Sequence, residues 1–315
     1  LEGAYSIGLL TNKKLIAIKD PLGIRPLVMG ELKGAKIIAS ETCALDIIGA
    51  KYIRDIDNGE IVVMDKNGVK SYKPFNKISA RPCIFEYIYF ARPDSIMNGK
   101  NVYDCRKNMG KQLALELKTS ADLVIPVPDS GVPAALGYAE ASKIPFNLGI
   151  IRNHYVGRTF IEPTQTIRQL GIKLKHNANS SIIKNKKIVL IDDSIVRGTT
   201  AIKIVEMMRN AGASEVHMRI SSPPIKFPDY YGIDTPSKNE LIASKNSTEE
   251  IRKILKLDSL HFLSLDGLYH SMGHKKRDTN NPQYTDHCFT GDYPTKLVDR
   301  DEGALKNQLS LLNDK

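Results

Sequence analysis

One segment constrains the fold more than any other: Lys187-Ile-Val-Leu-Ile-Asp-Asp-Ser-Ile-Val-Arg-Gly-Thr-Thr200. Its apolar, β-branched run 188–191 reads as a buried strand. The run ends in two adjacent carboxylates, Asp192 and Asp193, followed by a turn carrying Ser194, Gly198, Thr199 and Thr200. A helix is predicted next, with Ile202, Val205 and Met208 spaced for one face and Gly212 placed to stop it. Free N–H groups in such a turn, and the positive end of the helix behind it, suit a phosphate. The two carboxylates can accept hydrogen bonds from vicinal ribose hydroxyls. A strand that merely runs into a helix cap needs one such Asp. Two side by side repel each other unless hydroxyls, a metal or solvent offset the charge. The segment therefore predicts a phosphosugar cradle on an α/β sheet.

The surrounding text continues the alternation. From about residue 100 onward, predicted strands at 122–127, 146–151, 187–191 and 215–221 alternate with helices at 133–142 and after Thr200. That is the pattern of a parallel sheet with helices on both faces. Residues 1–75 differ, with short β-type runs at 5–10, 15–19, 36–39 and 60–64 and turn signals at Asp57-Asn-Gly59 and Lys66-Asn-Gly68. The polar, Pro-bearing stretch 74–82 interrupts both patterns and marks a junction. Residues 152–180 are polar and weakly patterned, which reads as a long functional loop, and the last fifteen residues read as a frayed helix.

Composition narrows the class. A chain of 315 residues with 42% hydrophobic and 25% charged residues has ample core for one large or two ordinary domains. No apolar run is long enough to cross a bilayer and no signal layout opens the chain, so no membrane partner is expected. The cysteines at 43, 83, 105 and 288 form neither a CxxC pair nor a dense framework, so reduced thiols in a cytoplasmic setting are expected. The net charge of +10 comes largely from scattered Lys in 173–187 and from Lys275-Lys-Arg277. Without interleaved aromatic platforms this reads as solvated surface that can help steer a polyanion, and no nucleic-acid partner is expected.

Two further stretches bear on chemistry. Pro126-Val-Pro-Asp-Ser-Gly-Val-Pro133 follows a predicted strand and precedes a helix, so N–H groups around Asp129, Ser130 and Gly131 can meet a pyrophosphate. Taken alone, it describes an ordinary turn and cap equally well. Arg152-Asn-His-Tyr-Val-Gly-Arg-Thr-Phe160 is either a solvated basic loop or a lid. In the first part of the chain, Asp20 and Arg25 are expected to pair and brace a turn.

The 187–200 segment resembles the phosphoribosylpyrophosphate (PRPP) motif of type I phosphoribosyltransferases. Five other runs are similar, in order, to the glutamine PRPP amidotransferase family. They are Asp20-Pro-Leu-Gly-Ile-Arg-Pro-Leu27, Ala39-Ser-Glu-Thr-Cys-Ala-Leu-Asp46, Phe85-Glu-Tyr-Ile-Tyr-Phe-Ala-Arg-Pro-Asp-Ser95, the 153–160 run and Phe289-Thr-Gly-Asp-Tyr-Pro-Thr295. The resemblance implies an α/β fold: a type I phosphoribosyltransferase-like parallel sheet flanked by helices over 81–300, with 301–315 as a C-terminal tail. Residues 1–80 would be the C-terminal part of an N-terminal-nucleophile (αββα) glutaminase domain. In that family this domain opens on a catalytic Cys. Residue 1 here is Leu and nothing in 1–40 resembles that opening, so an N-terminally truncated sequence is expected.

The implied activity is a glycosyl transfer that forms 5-phosphoribosylamine from PRPP and glutamine-derived ammonia. This chain would retain at most the ammonia-dependent step. The resemblance puts Asp192 and Asp193 on the ribose hydroxyls, directly or through Mg²⁺, with Ser130 as a further metal ligand. Ser194, Val196, Arg197, Gly198, Thr199 and Thr200 would hold the 5′-phosphate. Asp129, Ser130 and Gly131 would hold the pyrophosphate, with Tyr155 and Arg158 on a lid whose Arg offsets the leaving charge. Purine nucleotide inhibitors and a homo-oligomer are implied as well. Some relatives carry an iron–sulfur cluster on four Cys, of which only Cys83 and Cys288 match here. Asp229 and Thr285 stand at the other two places, so no cluster is expected. His287 and Cys288 lack companions at zinc spacing. A competing reading is a non-catalytic PRPP or purine-nucleotide sensor on the same fold. The presence of Asp129-Ser-Gly131 and Arg158 together favours the enzyme.

Overall fold

The computed structural model describes residues 1–153 and 176–297. Tyr155, Arg158 and the 301–315 tail lie outside the described residues.

The N-terminal part folds into strands β1 (Ser6–Leu10), β2 (Leu15–Lys19), β3 (Val28–Leu32) and β4 (Ala35–Ala39), helix α1 (Thr42–Ile47), then β5 (Lys51–Asp55), β6 (Ile61–Asp65) and β7 (Gly68–Tyr72). These make two antiparallel sheets, β1-β2-β6-β7 and β4-β3-β5. Alternation drives them together: Ala17 on β2, Met29 on β3, and Val62 and Met64 on β6 point inward and share one core with Leu27 and Ile56. The Lys66-Asn67 turn closes the β6–β7 hairpin, as its Asn-Gly signal predicts. Register shifts between Met29 and Gly30, and a side chain at Gly30 would collide with Leu45 of α1, which lies across that sheet's other face. Residues 73–82 carry no regular element apart from one bend.

A single π-helical turn, Glu86–Phe90, comes next, then the short hairpin β8 (Ile96–Met97) and β9 (Lys100–Asn101). The chain continues as α2 (Val102–Glu116), β10 (Leu123–Pro126), α3 (Val132–Ser142), β11 (Ile150–Arg152), β12 (His176–Ala178), α4 (Ser180–Ile183), β13 (Lys187–Asp192), α5 (Thr199–Asn210) and β14 (Glu215–Ile220). The helices α6 (Ile242–Lys245) and α7 (Thr248–Ile254), strand β15 (Ser259–Phe262), and helices α8 (Leu265–Ser271) and α9 (His287–Thr290) complete the described part. The main sheet is parallel in the order β10-β13-β14-β15. Both its faces are covered, which explains the unbroken apolar run in β13. Val189 and Ile191 enter the core on one face, and Ile188 and Leu190 enter the core on the other.

Helices α2 and α3 pack on one face at backbone contact distance. A methyl group at Gly110 would overlap the Ala134 carbonyl, and one at Gly137 would overlap that of Lys107. On the other face α5 buries Ala201, Ile204, Val205 and Met208. Of the expected stripe, Val205 and Met208 are buried and Ile202 packs half-buried at its margin.

Two expectations need correction. The predicted strand at 146–151 is split. Phe146 makes one parallel bridge beside Val124, whereas Ile150–Arg152 leaves the sheet to pair antiparallel with His176–Ala178. Where the chain turns, Gly149 lies against the Ile125 side chain, and a Cβ there would come within 2.5 Å of its Cδ1. The Asp20–Arg25 brace is also absent. Asp20 instead accepts the N–H of Ile24 at 3.2 Å, while Arg25 reaches Glu86 at 3.0 Å and stacks over Phe90.

Candidate functional site

The order of the sheet decides where the site lies. From β10 the chain passes through α3 to Phe146 on the outer side of that strand. It then returns to lay β13 on the inner side. The carboxyl ends of β10 and β13 therefore flank a topological switch point, where connections leave in opposite directions and a crevice opens. Both motif turns singled out in the sequence emerge there. Register places Pro126 beside Ile191, which brings Asp129-Ser-Gly131 next to Asp192-Asp193 across a sequence separation of about sixty residues.

Close approach of the two turns depends on Gly131. Its φ of −73° is ordinary, but a Cβ would lie 2.9 Å from the Val127 carbonyl oxygen and closer still to that of Ile191. The Gly131 N–H donates to Val127 O at 3.0 Å, the Val127 N–H donates to Ile191 O at 2.8 Å, and Gly131 O accepts the first α3 bond from Ala135 at 2.9 Å. The Pro128–Asp129 peptide is cis. Asp129 is exposed and pairs with Arg152 at the end of β11.

The acidic pair has two different environments. Asp193 is buried and accepts a hydrogen bond from the Ser194 hydroxyl, with Ser130 beside it. Asp192 lies at the strand's end with part of its surface open, and its Oδ1 accepts the Asp193 N–H at 2.9 Å. Burial pushes both carboxyls above the usual range. The charge of Asp193 pushes Asp192 up further, while Ser130, Ser194 and the Arg106 guanidinium pull Asp193 back. Two crowded carboxylates in this state favour a cation or a set of hydroxyl donors between them.

The following turn brings Gly198 to a left-handed conformation, φ 81°, at the N-terminus of α5. There the unpaired N–H groups of the first helical turn face outward with Thr199 and Thr200 exposed beside them. Ile195 is buried, Val196 is half-buried, and the Val196 carbonyl accepts the Ile242 N–H at 2.9 Å. Arg197 is exposed and its Nε donates to Glu240 at 3.0 Å. A cavity of about 640 Å³ opens next to Thr200, between β12 and α5, and is lined by His176, Asn177, Lys203 and Met207. The structure thus brings together Asp129, Ser130, Gly131 and the 192–200 turn. Tyr155 and Arg158 lie outside the described residues.

Three contributors carry no motif signal. Ser221, at the carboxyl end of the neighbouring β14, donates its N–H to Asp192 O at 2.9 Å. The rule that sites gather at carboxyl ends of parallel strands was the only sequence-level pointer to it. Arg152 was noted only as part of the 152–160 run. Arg106 is buried on α2 and donates to the carbonyls of Tyr87 at 2.9 Å and Ala91 at 2.7 Å, capping the π-helical turn. Among acidic neighbours, Asp193 acts most strongly on it. Only burial reveals such a residue.

The chemistry of the donors separates the two implied inorganic groups. Asp192, Asp193 and Ser130 offer hard oxygen atoms that fit Mg²⁺, an ion content with few carboxylates and several waters. Among the described residues, no cluster of three or more His, Cys, Asp or Glu side chains forms a metal cage by itself. An iron–sulfur cluster needs four thiolates. Cys83 and Cys288 are buried neighbours, and burial, with Asp229 and Glu86 nearby, pushes the Cys83 thiol up to about 12. At the other two places, Asp229 pairs with His287, and the Thr285 hydroxyl donates to Arg81 O at 2.6 Å. That donor set does not fit a cluster.

Residues 94–221 match the phosphoribosyl transferase domain family. Over 99% of its length the chain is 57% identical to an amidophosphoribosyltransferase of Rhizobium etli, and over 94% it is 50% identical to that of Bacillus subtilis. It spans 64% and 62% of the length of those two relatives. The glutamine PRPP amidotransferase of B. subtilis, solved in complex with ADP and GMP, superposes with a TM-score of 0.88 at 48% identity, covering 96% of this chain and 67% of that one. The chain belongs to the amidophosphoribosyltransferase family.

Proposed function

We propose that this chain carries the transferase step of amidophosphoribosyl transfer, in which ammonia displaces pyrophosphate from PRPP to give 5-phosphoribosylamine. One observation carries the reading: two phosphate-type turns meet at the switch point with an acidic pair between them, and register sets the 129–131 turn beside Asp192 and Asp193. In this reading Asp192 and Asp193 accept the ribose hydroxyls and fix the sugar's orientation. The 194–200 turn and the α5 N-terminus hold the 5′-phosphate. Asp129, Ser130 and Gly131 hold the pyrophosphate end, and Arg158 brings a cation to the leaving group. Mg²⁺, held by Ser130, Asp192 and Asp193 and shared with the substrate, would neutralise the departing charge. These groups work by position and electrostatics, without a covalent enzyme intermediate.

Glutamine as the ammonia source, purine nucleotides as inhibitors, a homo-oligomeric assembly and a cytoplasmic setting are part of the proposal and rest on the relatives. The test is pyrophosphate release from PRPP and Mg²⁺ by the purified chain, with ammonium or with glutamine as nitrogen donor. Release with ammonium and none with glutamine is the expected result. Absence of release with either donor would overturn the transferase reading.

A further inference from the structure

The two non-thiol residues at the family's cluster positions lie in a joint built from three distant stretches, 82–85, 226–235 and 285–293. Cys83 pairs with Thr285 through the backbone: the Thr285 N–H donates to Pro82 O at 2.9 Å, and the Ile84 N–H to Thr285 O at 3.2 Å. The N–H groups of Lys226 and Phe227 reach Cys288 O at 2.9 and 3.1 Å. Into this joint project Asp229 and His287, with side chains 3% and 1% exposed and Oδ2 2.9 Å from Nε2. The second oxygen of Asp229 accepts the N–H groups of Tyr231 at 2.7 Å and Ile233 at 2.9 Å, which orders the loop on which Asp229 sits. The His287 ring is packed between Tyr231, edge-on at 5.0 Å, and Tyr293 at 4.9 Å, and the Tyr293 hydroxyl donates to Pro228 O at 2.8 Å.

A buried carboxylate–imidazole pair is tolerated only when its remaining lone pairs are satisfied, and removing one member then leaves the other stranded. Here Asp229 is held by two N–H groups of its own loop and by His287 across the joint. Among the described residues neither ring nitrogen of His287 makes a hydrogen bond, so the imidazole is kept in place by charge and by the rings packed on it. We propose that the Asp229–His287 pair is a clasp that takes the structural place of an iron–sulfur cluster, closing the 226–235 loop and the 285–293 segment over Cys83 without metal or sulfide. The joint is then indifferent to oxygen and to iron chelators. Its strength is that of one buried ion pair and the aromatic rings around it.

The four cysteines provide the test, because all are buried but only two lie in the joint. In Asp229→Asn and His287→Gln, labelling by an aromatic disulfide reagent is followed thiol by thiol by mass spectrometry. A clasp predicts that Cys83 and Cys288 react at least about tenfold faster than in the unmodified protein, while Cys43 and Cys105 keep their rates. Uniform acceleration of all four, or none, would overturn the proposal, since the first means general loosening and the second an idle pair. Iron and sulfide analysis of the unmodified chain, prepared without oxygen in the presence of both, is the second measurement. Metal-free protein is expected, and stoichiometric iron with sulfide would also overturn the clasp.

Discussion

Replacing Gly131 by Ala isolates one physical demand of the site. Backbone conformation is not at stake, because φ of −73° suits alanine. Space is. The added methyl would press on the carbonyl oxygen of Ile191, fixed in the parallel ladder between β10 and β13, and on that of Val127 just beyond it. If the loop stays in place, overpacking costs about 1–3 kcal/mol. Loss of the 3.0 Å Gly131–Val127 bond adds about 1 kcal/mol. At about 2–4 °C per kcal/mol for a chain of this size class, the melting temperature should fall by about 4–16 °C. If the loop moves instead, stability recovers but the 129–131 turn shifts by a fraction of an ångström to an ångström away from Asp193. Displacement on that scale costs on the order of 100-fold in rate. Thermal unfolding followed by circular dichroism, together with ammonia-dependent pyrophosphate release, separates the two responses. A Gly131→Ala protein that melts and turns over as the unmodified chain does would refute the steric argument.

Other expectations follow from the same geometry. Asp193→Ala should lower PRPP turnover by at least about 100-fold while leaving the far-ultraviolet spectrum intact, because it removes a carboxylate that burial already disfavours. A rate near that of the unmodified chain would sink the assignment of the acidic pair. Gly110→Ala should cost about 3 kcal/mol or more, since α2 cannot retreat from the Ala134 carbonyl without reopening the α2–α3 contact; urea unfolding measures it. Glu60 gives a pH test. Burial works against its charge, yet Arg54 at 2.7 Å, the Ser71 hydroxyl at 2.6 Å and the Asp57 N–H at 2.7 Å hold it down to about 2. A depressed carboxyl stabilises the fold above its unfolded pKa of about 4.5 and loses that contribution as pH falls towards its folded value. Glu60→Gln should therefore be less stable at pH 7, with the gap closing between about pH 4.5 and 2. A constant gap across that range would contradict the pairing.

Much of the site was legible because its chemistry is local in sequence. Run, acidic pair, hydroxyls and glycine stand within 187–200, and the strand–turn–helix they predict is β13, the 193–198 turn and α5. The fully apolar character of 188–191 also anticipated a strand covered on both faces. The second turn was readable as a turn and cap, yet alone it did not declare a ligand. Its meaning depends on lying beside Asp193, and that contact spans about sixty residues of chain.

The misreadings have the same origin. Asp20 and Arg25 are close in sequence and opposite in charge, but Arg25 is taken by Glu86, sixty residues on, because the π-helical turn buries a carboxylate that needs a cation. The 146–151 run has strand composition, but its second half pairs with 176–178, a partner the local sequence does not announce. Arg106 and the Asp229–His287 pair had no sequence signal at all, since what sets them apart is burial among groups brought from elsewhere. The sequence by itself determined most of the elements, the parallel sheet, the acidic, hydroxyl-rich turn after β13 and the absence of thiols at 229 and 285. Each of those follows from side-chain periodicity or from residue identity at one place. Only the tertiary structure decided which strand ends meet at the switch point and how the buried charges are partnered. Those outcomes depend on packing and on a low-dielectric interior, and both exist only once distant segments are in contact.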